Sequence, residues 1–382
     1  MANKKMTTAP ESEQLVIQKG VPLKEILNDK SLRDGAAYVK DVYKAFDIDG
    51  FVSSTLDEQW AGLELKARMR QVTINLAKYL PAKYPQALAV LMEVTDNVPR
   101  GVFVLGMSFP DFVEVFGQDE KYWDLSIDAL AKFTICWSAE FAVRPFIINH
   151  EKRMMAQMDK WSQDENEHLR RLSSEGCRPA LPWAQSLPAF KNDPTPVLPI
   201  LEQLKSDPSL YVRKSVANNI NDISKNQPEL VVKLAKSWYG KNKDTDWIVK
   251  HACRTLLKRG NRDALAIFGY HDTKAIDVSD FAVSTKHITM GDDLIFTFKI
   301  KAKKATKVRL EYGIDYVKAN GKTSTKIFQI SESSLKKDEQ KEYHKKHSFA
   351  DVSTRKHYAG THAITLIVNG VERGNLNFEV GN

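Results

Sequence analysis

Cysteine is scarce: three in 382 residues (Cys136, Cys177 and Cys253), with no paired spacing. That excludes a disulfide scaffold and a cysteine-rich zinc site, and it points to a reducing, cytoplasmic setting. No run of about 18 apolar residues occurs, so nothing reads as a membrane-spanning helix. The first residues, MANKKMTTAPESEQ, lack the apolar core of a signal peptide. Gly321-Lys322-Thr323 lacks the earlier glycine of a phosphate-binding loop. There is no His-x-Glu or Cys-x-x-Cys zinc pattern, and no His-x-Asp of an iron facial triad. The sequence therefore calls for no metal and no cofactor. What remains, 42% hydrophobic and 27% charged, is an ordinary globular composition of two or three domains.

Charge is uneven along the chain. Residues 1–139 hold 16 basic against 19 acidic residues; residues 140–260 hold 20 against 14; residues 276–382 hold 18 against 13. Two basic blocks behind a slightly acidic one suggest a polyanion partner, because phosphate contacts dominate nucleic-acid affinity. A solvated lysine surface would give the same count.

Residues 1–15 read as a disordered N-terminus. From there to residue 275 the pattern is helical, with apolar residues at three- and four-residue spacing. After residue 275 it changes. Leu294, Phe296, Phe298 and Ile300 alternate with polar residues, and Asn369-Gly370 between two strand-like runs is a hairpin signal. Short strands at regular spacing over 276–382 predict a β-sandwich of immunoglobulin type.

Three segments of the helical part line up: Asp164 to Arg170-Arg171, Asp207 to Arg213-Lys214, and Asp244 to Lys250-His251. Each is an Asp, five residues and a basic pair. The offsets of 43 and 37 residues belong to paired-helix repeats of the HEAT kind. The Asp is expected to cap a helix. Stacking would line up Arg170, Arg213 and Lys250 on the concave face, although one basic residue of each pair is expected to brace its neighbour instead. The fold class is thus an N-terminal α-solenoid of HEAT-like repeats (16–275) followed by a β-sandwich (276–382).

Seven of the 15 prolines fall between Pro179 and Pro208, stiffening the connection that carries Trp183. Glu175, late in a helix beside Gly176, is poorly placed for the helix dipole. Asn218, Asn219, Asn221 and Asp222 are poor helix formers inside an expected helix, either a polar end or a ligand-facing side. Glu140 and Arg144 are spaced as a simple i,i+4 ion pair.

The stretch Trp137 to Gly269 resembles the DNA alkylation repair glycosylases built from HEAT-like repeats, the AlkC/AlkD superfamily, and within it the AlkC branch. The motifs that carry the likeness are Ser138-Ala-Glu140-Phe-Ala-Val-Arg144-Pro145, Arg170-Arg171-Leu-Ser-Ser-Glu175-Gly-Cys-Arg178-Pro179, Leu181-Pro182-Trp183, Tyr211-Val-Arg213-Lys214-Ser-Val-Ala-Asn218-Asn219, Asp222-Ile-Ser224 and Trp247-Ile-Val-Lys250-His251-Ala252. A C-terminal immunoglobulin-like domain occurs on part of the AlkC branch. The resemblance implies hydrolysis of the N-glycosidic bond of cationic alkylated bases such as 3-methyladenine or 3-methylcytosine in base excision repair. By position, Glu140, Glu175 and Asp222 are the acidic set and Trp183 the aromatic platform, with Glu175 or Asp222 orienting the water. The resemblance also implies a route without base flipping.

Arg144, Arg170, Arg171, Arg178, Arg213, Lys214, Asn218, Lys250, His251 and Arg254 are candidates for contact with double-stranded DNA. The sandwich lysines Lys299, Lys301, Lys303, Lys304, Lys336, Lys337, Lys345 and Lys346 are further candidates, or serve solubility. No lysine stands in the acidic motifs, so monofunctional hydrolysis is expected. No obligate protein partner and no membrane is expected, and a monomer working at the bacterial nucleoid is the default. A non-catalytic repeat module binding damaged DNA is the alternative reading, and a protein-binding scaffold a third.

Overall fold

The structure, a computed structural model, describes residues 20–98, 104–351 and 356–381. The stretch 1–15 lies outside the described residues. The chain divides into two compact units, Met1–Ile223 and Ser224–Asn382.

The first unit is helical throughout its described residues. Its helices start where the sequence supplies caps. Asn28 Oδ1 accepts from the Ser31 amide and the Ser31 hydroxyl accepts from the Asn28 amide, and this opens Asp29–Val42. Leu32, Gly35, Ala36 and Val39 form that helix's buried stripe. Trp123–Thr134 and Val143–Asn149 are separate helices, so Glu140 sits in the turn between them. It therefore does not pair with Arg144 along a helix.

Glu167–Gly176 packs against Glu151–Ser162 on one side and Leu210–Ile223 on the other. The repeated Asp is not the helix cap. Asn166 caps the first of these helices, and Asn242 caps Lys243–Ala252. Instead, Asp164 and Asp207 accept amides two residues on, shaping the turn before the helix. Arg170 Nη1 donates to the carbonyls of Asp164 and Glu165, and Arg213 Nη1 to those of Asp207 and Pro208. Each arginine thus closes the turn that opens its own helix. Arg170 also makes a forked pair with Asp207, at 2.6 and 3.2 Å, tying one repeat to the next.

In the second unit, helices Pro228–Trp238, Lys243–Ala252, Arg254–Lys258 and Arg262–Ile267 precede eight strands. These are β1 (Ile276–Val283), β2 (His287–Thr289), β3 (Asp293–Ala302), β4 (Thr306–Val317), β5 (Thr323–Leu335), β6 (Gln340–Ser348), β7 (Gly360–Val368) and β8 (Val371–Gly381). They form a three-stranded sheet, β1-β3-β6, and a five-stranded sheet, β2-β8-β7-β4-β5. Pairing is antiparallel except for β2 with β8. The alternation in β3 buries Leu294, Phe296, Phe298 and Ile300 against Leu310, Ile314, Ile364 and Phe378. Asn369 and Gly370 both have positive φ, as a two-residue hairpin turn of the primed type requires.

The last helices group with the strands because the two are bonded together. Lys307 donates to the Phe268 carbonyl, and Asn369 to that of Asp272. A Cβ on Gly370 would lie 2.5 Å from Leu265 Cδ1 and 3.0 Å from Gly260 Cα, so only glycine lets the hairpin come this close. The periodicity changes near residue 275, where β1 begins, but the compact unit starts earlier, at Ser224.

Candidate functional site

Three carboxylates and two guanidiniums alternate along one row in the first unit. Glu140 pairs with Arg171, and Ser138 Oγ donates to Glu140 at 2.8 Å while accepting from Arg171 at 2.6 Å. Arg171 reaches Glu175 at 3.5 Å. Glu175 accepts from Arg178 Nη1 at 2.7 Å, and Arg178 Nε donates to Asp222 at 2.9 Å. Sequence distance hides this continuity, because the turn before Val143, helix Glu167–Gly176 and helix Leu210–Ile223 each supply part of it.

Burial gives the row its electrostatic character. Glu175, Arg178 and Asp222 are all buried. Burial opposes the charge on Arg178, yet Glu175 and Asp222 outweigh it and hold the guanidinium above its ordinary value. Arg171 lies over the Tyr211 ring, 5.0 Å from its centroid. The row carries three negative charges against two positive.

Glu140, Glu175 and Arg178 open into a cavity of about 380 Å³. Trp137, Phe141, Leu181, Pro182 and Trp183 line it too, with Leu23, Leu65, Lys66, Met69 and Met107 from the N-terminal helices. Asp222 is not among the lining residues; it reaches the site through Arg178. Trp183 is 71% exposed and has φ +64°. A bulky side chain in the left-handed region costs roughly 1–3 kcal/mol and persists only where its surroundings enforce it. Here they do. Lys66 Nζ donates to the Trp183 carbonyl at 2.9 Å, and Arg144 Nε to the Gln185 carbonyl at 2.5 Å.

The other expected contact residues separate by their partners. Arg144 is 1% exposed, with Nη1 on the Gly176 carbonyl, and burial pulls its guanidinium down to about 10. It is an internal brace with no face for phosphate. Arg170, Arg178 and Arg213 are likewise engaged by carboxylates or turn carbonyls. Lys214 is exposed, and Asn218 is half-buried. Asn219 bonds the Ser174 carbonyl and Ser174 Oγ meets Ser215 Oγ, so part of the Asn-rich segment is an inter-helix seam.

Lys250, His251 and Arg254 belong to the second unit. Lys250 pairs with Glu332 of β5, His251 stacks on Trp247, and Arg254 donates to the His251 carbonyl. Lys250 does not repeat the role of Arg170 and Arg213. Arg170 and Arg213 are each the fourth residue of their helix, whereas Lys250 is the eighth of Lys243–Ala252. Lys66 was not foreseen from sequence. Its contact spans 117 positions, and nothing local to it signals a site. Among the described residues no group of three metal-binding side chains is present, and no helix is long and apolar enough to cross a membrane.

Comparison with known proteins places the chain by family and fold. A family model described as DNA alkylation repair enzyme matches residues 127–256. Another, described as the C-terminal Ig-like domain of the uncharacterised protein YhaZ, matches residues 277–382. The uncharacterised protein YhaZ of Bacillus subtilis (strain 168) is 47% identical over 358 residues, 94% of this chain and 99% of that protein. The solved structure of Pseudomonas fluorescens alkylpurine DNA glycosylase AlkC, bound to DNA containing an abasic site analog, superposes with a TM-score of 0.90 at 37% identity. It covers 95% of this chain and 100% of that one. The chain belongs to the AlkC-like family of DNA alkylation repair enzymes, a helical-repeat region joined to an Ig-like domain.

Proposed function

We propose that the protein is a DNA glycosylase that hydrolyses the N-glycosidic bond of cationic alkylated bases, with 3-methyladenine and 3-methylcytosine as its substrates. The observation that carries this reading is the alternating row of Glu140, Arg171, Glu175, Arg178 and Asp222 beside a protruding Trp183. A base that already bears positive charge leaves with little acid assistance. The barrier then lies in the oxocarbenium-like sugar, and carboxylates held against it stabilise that charge as it develops.

Glu140 and Glu175 both open into the cavity, which supports Glu175 as the group that orients the attacking water. Asp222 acts from behind Arg178, keeping the row net negative. The indole adds cation–π attraction of about 1–2 kcal/mol where water is excluded. Its position on the rim supports a lesion met from the backbone side, without extrusion of the base. Lys66 is engaged by a carbonyl and a ring, which supports hydrolysis without strand cleavage. Exposed Lys214 is the phosphate contact best supported in the first unit. On this reading the protein works as a monomer on duplex DNA in the cytoplasm, at the nucleoid. Membership of a repair-enzyme family argues against the non-catalytic module and the scaffold.

The test is base release from methylated duplex DNA, followed by mass spectrometry. Wild type should release both bases, and Glu175→Gln should fall by about 10²–10³-fold. Asp222→Asn and Trp183→Ala should also fall. No release by wild type would return the protein to the class of damage binders. Variants that all match wild type would move the site elsewhere.

A further inference from the structure

We infer that Lys66, from helix Leu65–Tyr79, is a positioning residue that fixes Trp183 in its working orientation. The inference rests on the reading of Trp183 given above.

Four described non-glycine residues have positive φ: Trp183, Asp280, Asp338 and Asn369. Asp and Asn tolerate that region, because their short polar side chains bond locally. Trp183 has no such excuse and has to be held. Two cations hold its turn. Arg144 bridges the Gln185 carbonyl to the Gly176 carbonyl, next to Glu175. Lys66 bonds the carbonyl of Trp183 itself and lies 4.7 Å from the centroid of the Phe141 ring, next to Glu140. Lys66 therefore ties the indole's own backbone to the turn that carries the first carboxylate of the row. Without it, the peptide after Trp183 loses its cationic partner and is free to relax toward negative φ, swinging the indole away from Glu140 and Glu175. An exposed lysine at a DNA-binding site would more simply touch phosphate, so the experiment separates the two roles.

Single-turnover base release and DNA affinity against salt are measured for full-length wild type, Lys66→Met, Lys66→Arg, Trp183→Ala and the Lys66→Met/Trp183→Ala double variant. Lys66→Met should lower the rate by about 10–100-fold, as small misplacements of a catalytic group do. Lys66→Arg should restore most of it. Lys66→Met should have no further effect once Trp183 is Ala, and the slope of log K against log salt should stay unchanged. A slope smaller by about 0.9, with the rate loss persisting in the Trp183→Ala background, makes Lys66 a phosphate contact and overturns the inference. A second readout does not depend on catalysis: acrylamide quenching of the Trp183 signal, taken as the difference between wild type and Trp183→Phe. Lys66→Met should change that quenching. Unchanged quenching overturns the positioning role even if the rate falls. Changed quenching with Trp183→Ala at full activity keeps the positioning and removes the catalytic reading of Trp183.

Discussion

Glu175 and Asp222 share one guanidinium: Arg178 gives Nη1 to the first at 2.7 Å and Nε to the second at 2.9 Å. Two acidic groups 47 positions apart in sequence are thereby fixed relative to each other. The same buried cation is the charge partner of both.

Removing that cation is expected to be expensive. Arg178→Met should destabilise the fold by about 3–5 kcal/mol, because it strips the common partner from two buried carboxylates. Thermal melting should show a drop of roughly 6–12 °C. Adding Asp222→Asn to Arg178→Met should recover part of the loss. An unchanged melting temperature for Arg178→Met would show that the row is not under electrostatic tension.

DNA affinity should distinguish bracing arginines from phosphate-facing lysines. Lys214→Ala should reduce the salt slope of binding by about 0.9 with little effect on stability. Arg170→Ala should leave the slope alone and lower the melting temperature, since it unpairs Asp207 and opens its own turn. The opposite pattern would mean that the ladder, not the exposed lysine, meets the backbone.

Acid should loosen the second unit through Glu332. Burial pushes this carboxyl up, but Lys250 and Arg309 overcome that and hold it below its ordinary 4.5. A carboxylate lowered on folding stabilises the native state fully above its unfolded value, and that contribution is lost as pH falls through the folded one. Wild type should therefore lose melting temperature below about pH 4.5 more steeply than Glu332→Gln. Parallel curves for the two proteins would rule Glu332 out as the cause.

The hairpin tip of the sandwich should tolerate nothing larger than glycine. Gly370→Ala combines a left-handed φ with a clash against Leu265, and should cost about 2–4 kcal/mol by thermal melting. A chain ended at Ala275 should melt lower still or aggregate, because it uncovers the faces around Leu265, Phe268 and Tyr270, all buried in the full chain. A stable, soluble truncation would show that the helices do not rely on the strands.

Much of this was legible in the residues themselves. The alternation around Phe296 and Phe298 announced a strand, and Asn369-Gly370 announced its turn, because both signals are local. The spacing from Asp164 to Arg170 and from Asp207 to Arg213 announced a brace, because a turn and its arginine recur together. Other features depended on distance in space. Glu140 and Arg144 looked like a helical pair, but the helix ends at Thr134 and resumes at Val143, so each finds other partners. Arg144 is hydrophilic by type yet interior by position, which no periodicity reveals. Lys66 meets Trp183 only after the N-terminal helices have packed. Lys250 misled because its helix opens before the repeated Asp, at Lys243, which carries the basic residue four positions further along than Arg170 and Arg213.

That slip in step has its own consequence. An arginine that grips its own turn, and in Arg170 also the next repeat's aspartate, works as a built-in ruler, so any duplicated copy would arrive already in register. In Lys243–Ala252 the fourth residue is Asp246, which accepts from the Gly240 amide at 2.6 Å. There a carboxylate holds a backbone amide where the arginines hold carbonyls, so the turn is closed with the charge reversed.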